Sequence, residues 1–221
     1  MVSYLGVFGV HGSLRFLSHL ELMKVFRQAF RRCGLPVGYS EGFNPHMKLS
    51  FAIAKGVGLE SRGELLEIDL LEPIKPKEWM DRINQSLPTG LVIYEMMEKR
   101  PSGKAPMALL KRATYLLRGD ESILEQGALK LLEPEMIMEV RSKKSLSMKN
   151  LQDFIVKVER VAEGIEITLL SGSERNLRID YVLRYLELPL VAERRALWGE
   201  SGLLSEMLSV PNETIEEELK G

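Results

Sequence analysis

Ser18-His19-Leu20-Glu21-Leu22-Met23-Lys24-Val25-Phe26-Arg27-Gln28-Ala29-Phe30-Arg31-Arg32-Cys33-Gly34-Leu35-Pro36 is a helix written out with both of its ends. The Ser18 hydroxyl can accept the amide proton of the third helical residue while Glu21 reaches back to the Ser18 amide, the capping-box arrangement. Leu22, Phe26, Ala29, Phe30 and Cys33 recur at i, i+4, i+7, i+8 and i+11 and make one apolar face. Lys24, Arg27, Gln28 and Arg31 lie elsewhere on the barrel. Gly34 stands where a left-handed C-terminal cap belongs, and Pro36 prevents the helix from continuing.

Working outward, Val2 to Val10 is apolar and β-rich and reads as a strand. His11-Gly12-Ser13 breaks it, and Leu14 to Leu17 is expected to resume it. Beyond the helix, Gly38 to Met47 is a loop with two glycines and an Asn-Pro step. Lys48 to Ala54 alternates as a strand, and Gly56 and Gly58 mark a bend. Glu64 to Leu71 alternates again, with Leu66, Ile68 and Leu70 opposed to Leu65, Glu67 and Asp69. Pro76 suits the first turn of a helix carrying Trp79, Met80, Ile83 and Leu87. Leu91 to Met97 is a fourth strand. Strand, helix, strand, strand, helix, strand is the ferredoxin-like unit, with an expected strand order of 4-1-3-2 and both helices on one face.

Lys99 to Pro106 reads as a polar linker. After it the same grammar recurs more loosely. Ala113 to Arg118 is a strand, and Asp120 caps a helix through Leu132. Met136 to Arg141 is a strand, and Phe154 to Val161 with Ile165 to Leu170 is a hairpin. Ile179 to Leu186 is a helix, and Arg194 to Trp198 a short last strand. The expected fold class is therefore α+β, with tandem ferredoxin-like (βαββαβ) modules and antiparallel sheets. The modules span 1–98 and 107–200, and an acidic tail covers 201–221, frayed at its end. Tandem modules of this kind are similar in architecture to RNA-processing proteins of CRISPR systems, some of which cleave RNA without metal, an analogy of fold alone.

Hydrophobic residues are 45% and charged residues 28% of 221, enough for each half to bury a core. The net charge of −1 excludes a strong global pull on nucleic acid or membrane. It is unevenly spread, with a basic excess before residue 49 and an acidic excess after residue 192. The single cysteine, Cys33, cannot form an intrachain disulfide or anchor an iron–sulfur cubane, and a reducing compartment is expected. Cys33 lies on the apolar helix face and reads as core. The N-terminus lacks the basic and apolar regions of a signal peptide, and no run approaches the ~18 apolar residues of a membrane span. A cytoplasmic protein without a membrane partner is expected, with no cofactor and no bound metal. HExxH, GxSxG and paired CxxC patterns are missing from the sequence.

Three stretches carry a family likeness: Leu14 to Met23, Phe30 to Val37, and Tyr39 to Phe51, with Arg-Phe-Leu-Ser-His (15–19) and Gly-Phe-Asn-Pro-His (42–46) as the specific elements. This region closely resembles the radical-SAM-associated family, strongly over about residues 1–100 and more weakly to about 200. The resemblance implies a domain that occurs alone or behind a cobalamin-type radical SAM enzyme, and so implies such an enzyme as a partner. It brings no established catalytic residue. Met47 departs from the pattern, in which a second proline is more usual.

The loop from Tyr39 to Lys48 is the richest candidate site. Tyr39, Phe43 and His46 can stack on exposed bases, with Lys24, Arg27, Arg31, Arg32 and Lys48 contacting phosphates. The bland alternative makes Phe43 a plug at the sheet edge and the helix cations ordinary solvated surface. His19 and His46 are the weak catalytic candidates, placed roughly 20 Å apart by the helix between them, so that no shared site is expected. Three readings follow. The first is an accessory protein that binds RNA or presents it to a radical SAM enzyme. The second is a metal-independent endoribonuclease using His19 or His46, with Tyr39 or Lys48 assisting. The third is a pure protein–protein adaptor.

Overall fold

The structure, a computed structural model, describes residues 1–101, 104–141 and 146–210. β1 (Val2–Val10) opens the chain. Leu14 to Leu17 does not resume it: Gly12, at φ +60°, turns the backbone out of the sheet into a 3-10 turn over Gly12–Phe16. α1 (His19–Arg32) follows, with both bonds of the capping box formed, Glu21 N to Ser18 Oγ at 3.3 Å and Ser18 N to Glu21 Oε2 at 2.8 Å. Gly34 ends it at φ +72°. Next come β2 (Leu49–Phe51), β3 (Glu60–Leu70), α2 (Pro76–Ser86) and β4 (Leu91–Glu98).

β2 is shorter than its alternating pattern suggested and β3 longer, for one reason. β2 pairs with β3 only over Leu66–Ile68, after which the chain from Ile53 to Leu59 leaves the sheet. The added first residues of β3 meet another strand instead, the one over Val191–Trp198.

The second half begins with α3 (Pro106–Leu109), which starts on the last residue of the expected linker, and β5 (Arg112–Arg118). α4 (Glu121–Leu131), β6 (Ile137–Arg141), β7 (Leu146–Asn150) and a 3-10 turn over Leu151–Phe154 lead to β8 (Ile155–Val161) and β9 (Gly164–Leu170). α5 (Ile179–Leu186), β10 (Val191–Trp198) and α6 (Leu204–Leu208) complete it. The segment expected as a strand over Met136–Arg141 does form β6. It pairs with β7 in a separate ribbon, outside the main sheet.

The result is a mixed α+β fold with a mostly antiparallel sheet and six helices among the described residues. The main sheet runs β4-β1-β3-β10-β5-β9-β8, with β2 also on β3. Two expected sheets are thus one. The seam between the halves, Glu193 and Arg194 of β10 beside Glu60 and Ser61 of β3, is parallel, whereas the other paired strands are antiparallel.

Two cores flank this sheet. In the first, Phe26 and Phe30 of α1 and Ile83 of α2 pack on Tyr4, Phe8 and Ile68, so both helices cover one face of β1 and β3. Phe8 and Phe26 meet edge to face at 4.8 Å, and Phe26 meets Phe51 at 5.7 Å. In the second, Leu124 of α4 and Val182 and Leu186 of α5 pack on Tyr115, Leu117 and Ile167. Leu5 and Leu65, which alternate with the first core's residues along their strands, also join the second core. Each such fully buried side chain contributes about 1.5–3 kcal/mol.

The expected linker is anchored at its start. Lys99 is buried, forms an ion pair with Glu67, and donates its amide to Ser3 O at 2.8 Å. Arg100 N reaches Leu208 O at 2.8 Å and Val210 N reaches Glu98 O at 2.9 Å, so the segment after α6 lies against the end of β4. Leu204 and Leu208 are core residues, so 201–210 is no acidic tail. The acidic end expected to fray, 213–221, lies outside the described residues. No helix among them is long and apolar enough to cross a membrane.

Candidate functional site

Two places hold chemistry, and β3 separates them. The first is the sequence-derived loop. Tyr39 and Met47 bridge at its base. Ser40 closes it: its amide donates to His46 O at 2.9 Å, and its Oγ accepts the His46 amide at 3.1 Å and lies 2.8 Å from His46 Nδ1. Gly42, at φ +115°, takes a backbone conformation that favours glycine. The tip thereby carries Phe43 wholly into solvent, at 106% relative exposure. The reading of Phe43 as a plug at the sheet edge is therefore incorrect. Tyr39 and His46 are also exposed. Met47, where the family pattern favours proline, is 1% exposed and belongs to the first core.

The basic residues divide. Lys24 and Arg31, seven positions apart on α1, are exposed and carry no ion pair among the described residues. Arg27 between them is half-buried, with Nε unpartnered among the described residues. Arg32 is exposed and donates to Ser86 O. Lys48 is half-buried, 4.0 Å from Asp69. His19 is not brought to the loop. It sits at the start of α1, its ring 5.4 Å from Phe51 and edge-on to it, with Nδ1 buried and unpartnered among the described residues. His11, the third histidine, bonds the Tyr94 hydroxyl at 2.6 Å. No group of three metal-ligating side chains gathers among the described residues.

The second place is the seam, at the other end of β3. Arg194 is 3% exposed and gives one nitrogen, Nη1, to both carboxylate oxygens of Glu64, which is 2% exposed. Burial opposes the guanidinium charge, but Glu64, helped by Tyr115, outweighs it and raises the Arg194 pKa above the ordinary arginine value. The Arg194 guanidinium lies 5.5 Å from the Tyr115 ring centroid. Next along β10, buried Glu193 pairs with Arg62 at 2.9 Å and Arg118 at 2.6 Å. Both charges of the Glu193-Arg194 dipeptide are thus answered, as buried charges require.

Beside the seam, the chain that leaves β2 is held by Lys55. Its ammonium is buried and donates to Arg15 O at 2.6 Å, Gly56 O at 2.8 Å and Leu59 O at 3.1 Å. Removal from water pulls the Lys55 pKa down. The stapled segment forms one wall of a cleft of about 850 Å³ between the halves, with the N-terminus of α5 and the loop after β9 opposite. The cleft is chiefly apolar. Phe16, Val57, Met107 and Val191 stand exposed around it, while Arg194 and Ser171 line it as buried polar residues.

The sequence reading missed Glu64, Arg194, Lys55 and Ser171. A faint signal existed for two of them, since Glu64 and Arg194 each open a segment that reads as a strand.

Fold and site together define a mixed α+β protein whose halves share one sheet, a polar seam and an apolar cleft. Residues 4–179 match the model of a family described as "Uncharacterized protein conserved in bacteria (DUF2344)", and the chain belongs to that family. No curated protein matches the chain.

Proposed function

We propose that this protein is a non-catalytic, RNA-facing accessory that presents single-stranded RNA to a radical SAM enzyme in the cytoplasm. The observation that carries the RNA reading is Phe43, an aromatic ring wholly in solvent at the tip of a tied loop, with Tyr39 and His46 beside it. A fixed loop that spends an aromatic side chain on solvent is suited to stacking on an unpaired base. Lys24 and Arg31 on α1, which runs into this loop, have charges free for phosphates.

The radical SAM partner rests on the resemblance of Leu14 to Phe51. We also infer that each half is a ferredoxin-like unit. The orders β4-β1-β3-β2 and β10-β5-β9-β8 support this, with the β6–β7 ribbon inserted in the second. Sheets of this kind serve RNA binding in other folds, an analogy that adds weight only beside the loop.

The test is binding of a fluorescent oligouridylate at several salt concentrations. Phe43→Ala is expected to weaken binding by about 1–3 kcal/mol with little change in salt slope. Lys24→Ala with Arg31→Ala is expected to weaken it and reduce the slope by about one to two units. Wild-type affinity in both variants removes the RNA reading. Cleavage of the oligonucleotide in EDTA replaces it with the endoribonuclease. Co-purification of the radical SAM enzyme with a chain that binds no RNA leaves the adaptor.

A further inference from the structure

We infer that the cleft between the halves is a binding site for a small amphipathic organic anion, with an apolar body and a single carboxylate or phosphate head. This site is independent of the RNA-facing loop, from which β3 separates it.

The apolar body is called for by the walls. Leu110, Leu177, Ile179 and Leu190 are buried in the floor, and Phe16, Val57, Met107 and Val191 are exposed around the opening. A volume of about 850 Å³ falls within the range of small-molecule sites.

The head group is called for by unused donors. Ser171 is 3% exposed, lines the cleft, and its Oγ has no hydrogen-bond partner among the described residues. Arg194 is equally buried and lines the cleft. Glu64 occupies its Nη1 and the Tyr115 side chain also engages the guanidinium, while its Nε makes no hydrogen bond among the described residues. Buried polar groups in folded proteins are partnered by protein or by something bound, so each of these orphans, on a residue that lines the cleft, is a donor that a bound acceptor would satisfy. A third contribution is the start of α5. Its N-cap residue, Arg178, makes no side-chain cap, and Arg178, Ile179 and Asp180 all line the cleft. The Tyr181 amide already reaches Arg178 O at 3.2 Å, whereas the amides of Ile179 and Asp180 precede the first intrahelical acceptor and favour a negative group.

Charge selects the sign. Arg15, Lys55, Arg178 and Arg194 line the cleft against the single carboxylate of Asp180. Several of these cations are already paired, Arg15 with Glu60, Arg178 with Asp180 and Arg194 with Glu64. The surplus is therefore small and suits one anionic group on a mainly apolar molecule, rather than a polyphosphate.

The experiment uses the full chain and 1-anilinonaphthalene-8-sulfonate as fluorescent reporter, displaced by decanoate, decyl phosphate, decanol or decyltrimethylammonium. Decanoate or decyl phosphate is expected to displace the reporter saturably and raise the melting temperature, and the preference between them names the head group. Decanol and the ammonium are expected to bind at least about tenfold more weakly. Ser171→Ala, which deletes only the orphan hydroxyl, is expected to weaken the preferred anion about threefold to tenfold. Val191→Asp, at the exposed rim, is expected to weaken it at least about tenfold by charge repulsion while leaving the melting temperature of the free protein unchanged. The site is overturned if neither anion displaces the reporter, if decanol binds as tightly as the anions, or if Val191→Asp binds like wild type. Should Ser171→Ala melt early, the rim variant decides alone.

Discussion

The carboxylate of Glu64 and the guanidinium of Arg194, 130 positions apart, meet at 2.7 and 2.8 Å where β3 and β10 run side by side. Both side chains are almost wholly out of water. Such a pair contributes little net stability compared with well-packed apolar residues, yet breaking it on one side strands a buried charge. Arg194→Met is expected to destabilise the fold by about 3–5 kcal/mol, and Glu64→Leu with Arg194→Met to recover most of that loss. Urea unfolding of the two variants checks this. A double variant no more stable than the single would show that the two groups do not act as a pair.

The seam also depends on close backbone approach. A Cβ on Gly63 would stand 2.1 Å from Arg195 O and 2.7 Å from Ala196 N, both main-chain atoms that cannot swing aside. Gly63→Ala is expected to cost about 3 kcal/mol, and Gly56→Ala, whose Cβ meets nothing within 4 Å, to be close to neutral. Melting temperatures of the two variants make the comparison, and equal values contradict it.

Phenylalanines in the first half should split by position. Phe26 is 0% exposed and touches the rings of Phe8, Phe30 and Phe51, so Phe26→Ala is expected to cost about 3–5 kcal/mol. Phe43→Ala should leave stability within about 0.5 kcal/mol of wild type. A large stability loss from Phe43→Ala would mean that the ring is covered in solution.

Cys33 gives a pH dependence. Burial pushes its thiol above the ordinary value of 9.0. The folded state therefore disfavours the thiolate relative to the unfolded chain. The stability tied to the neutral thiol is complete below about pH 9 and is lost as pH rises through the raised value. Relative to Cys33→Ala, the wild type should lose ground as the pH rises above about 9 in urea unfolding. Folded protein should also react slowly with a disulfide reagent at pH 8 and rapidly in urea. Equal reaction rates would place the thiol at the surface.

What the sequence disclosed followed its range of interaction. The ends of α1 were legible because Ser18, Glu21 and Gly34 act within one turn, and Pro76 and the apolar spacing announced α2 in the same way. The limits of β2 and β3 were not, since strand length is decided by a partner strand, and for Glu60–Ser61 that partner lies in β10. β6 read as one strand more of the sheet, although its partner is the adjacent β7. The aromatic loop was found because its residues are neighbours in sequence. The cleft was not, because Phe16, Val57, Ser171 and Arg194 come from four distant segments and share no period.

The seam has a consequence for how the chain is made. Glu64 leaves the ribosome well before Arg194, and at about 5–20 residues per second the delay is on the order of ten seconds. During that interval the first residues of β3 have no β10 beside them, and the Glu64 carboxylate has no cation. Closure of the sheet thus waits until β10 has been made, and only the docking of α6 and the segment to Val210 comes after it. A nascent chain stopped before residue 191 should expose an open strand edge and be a natural client for a chaperone.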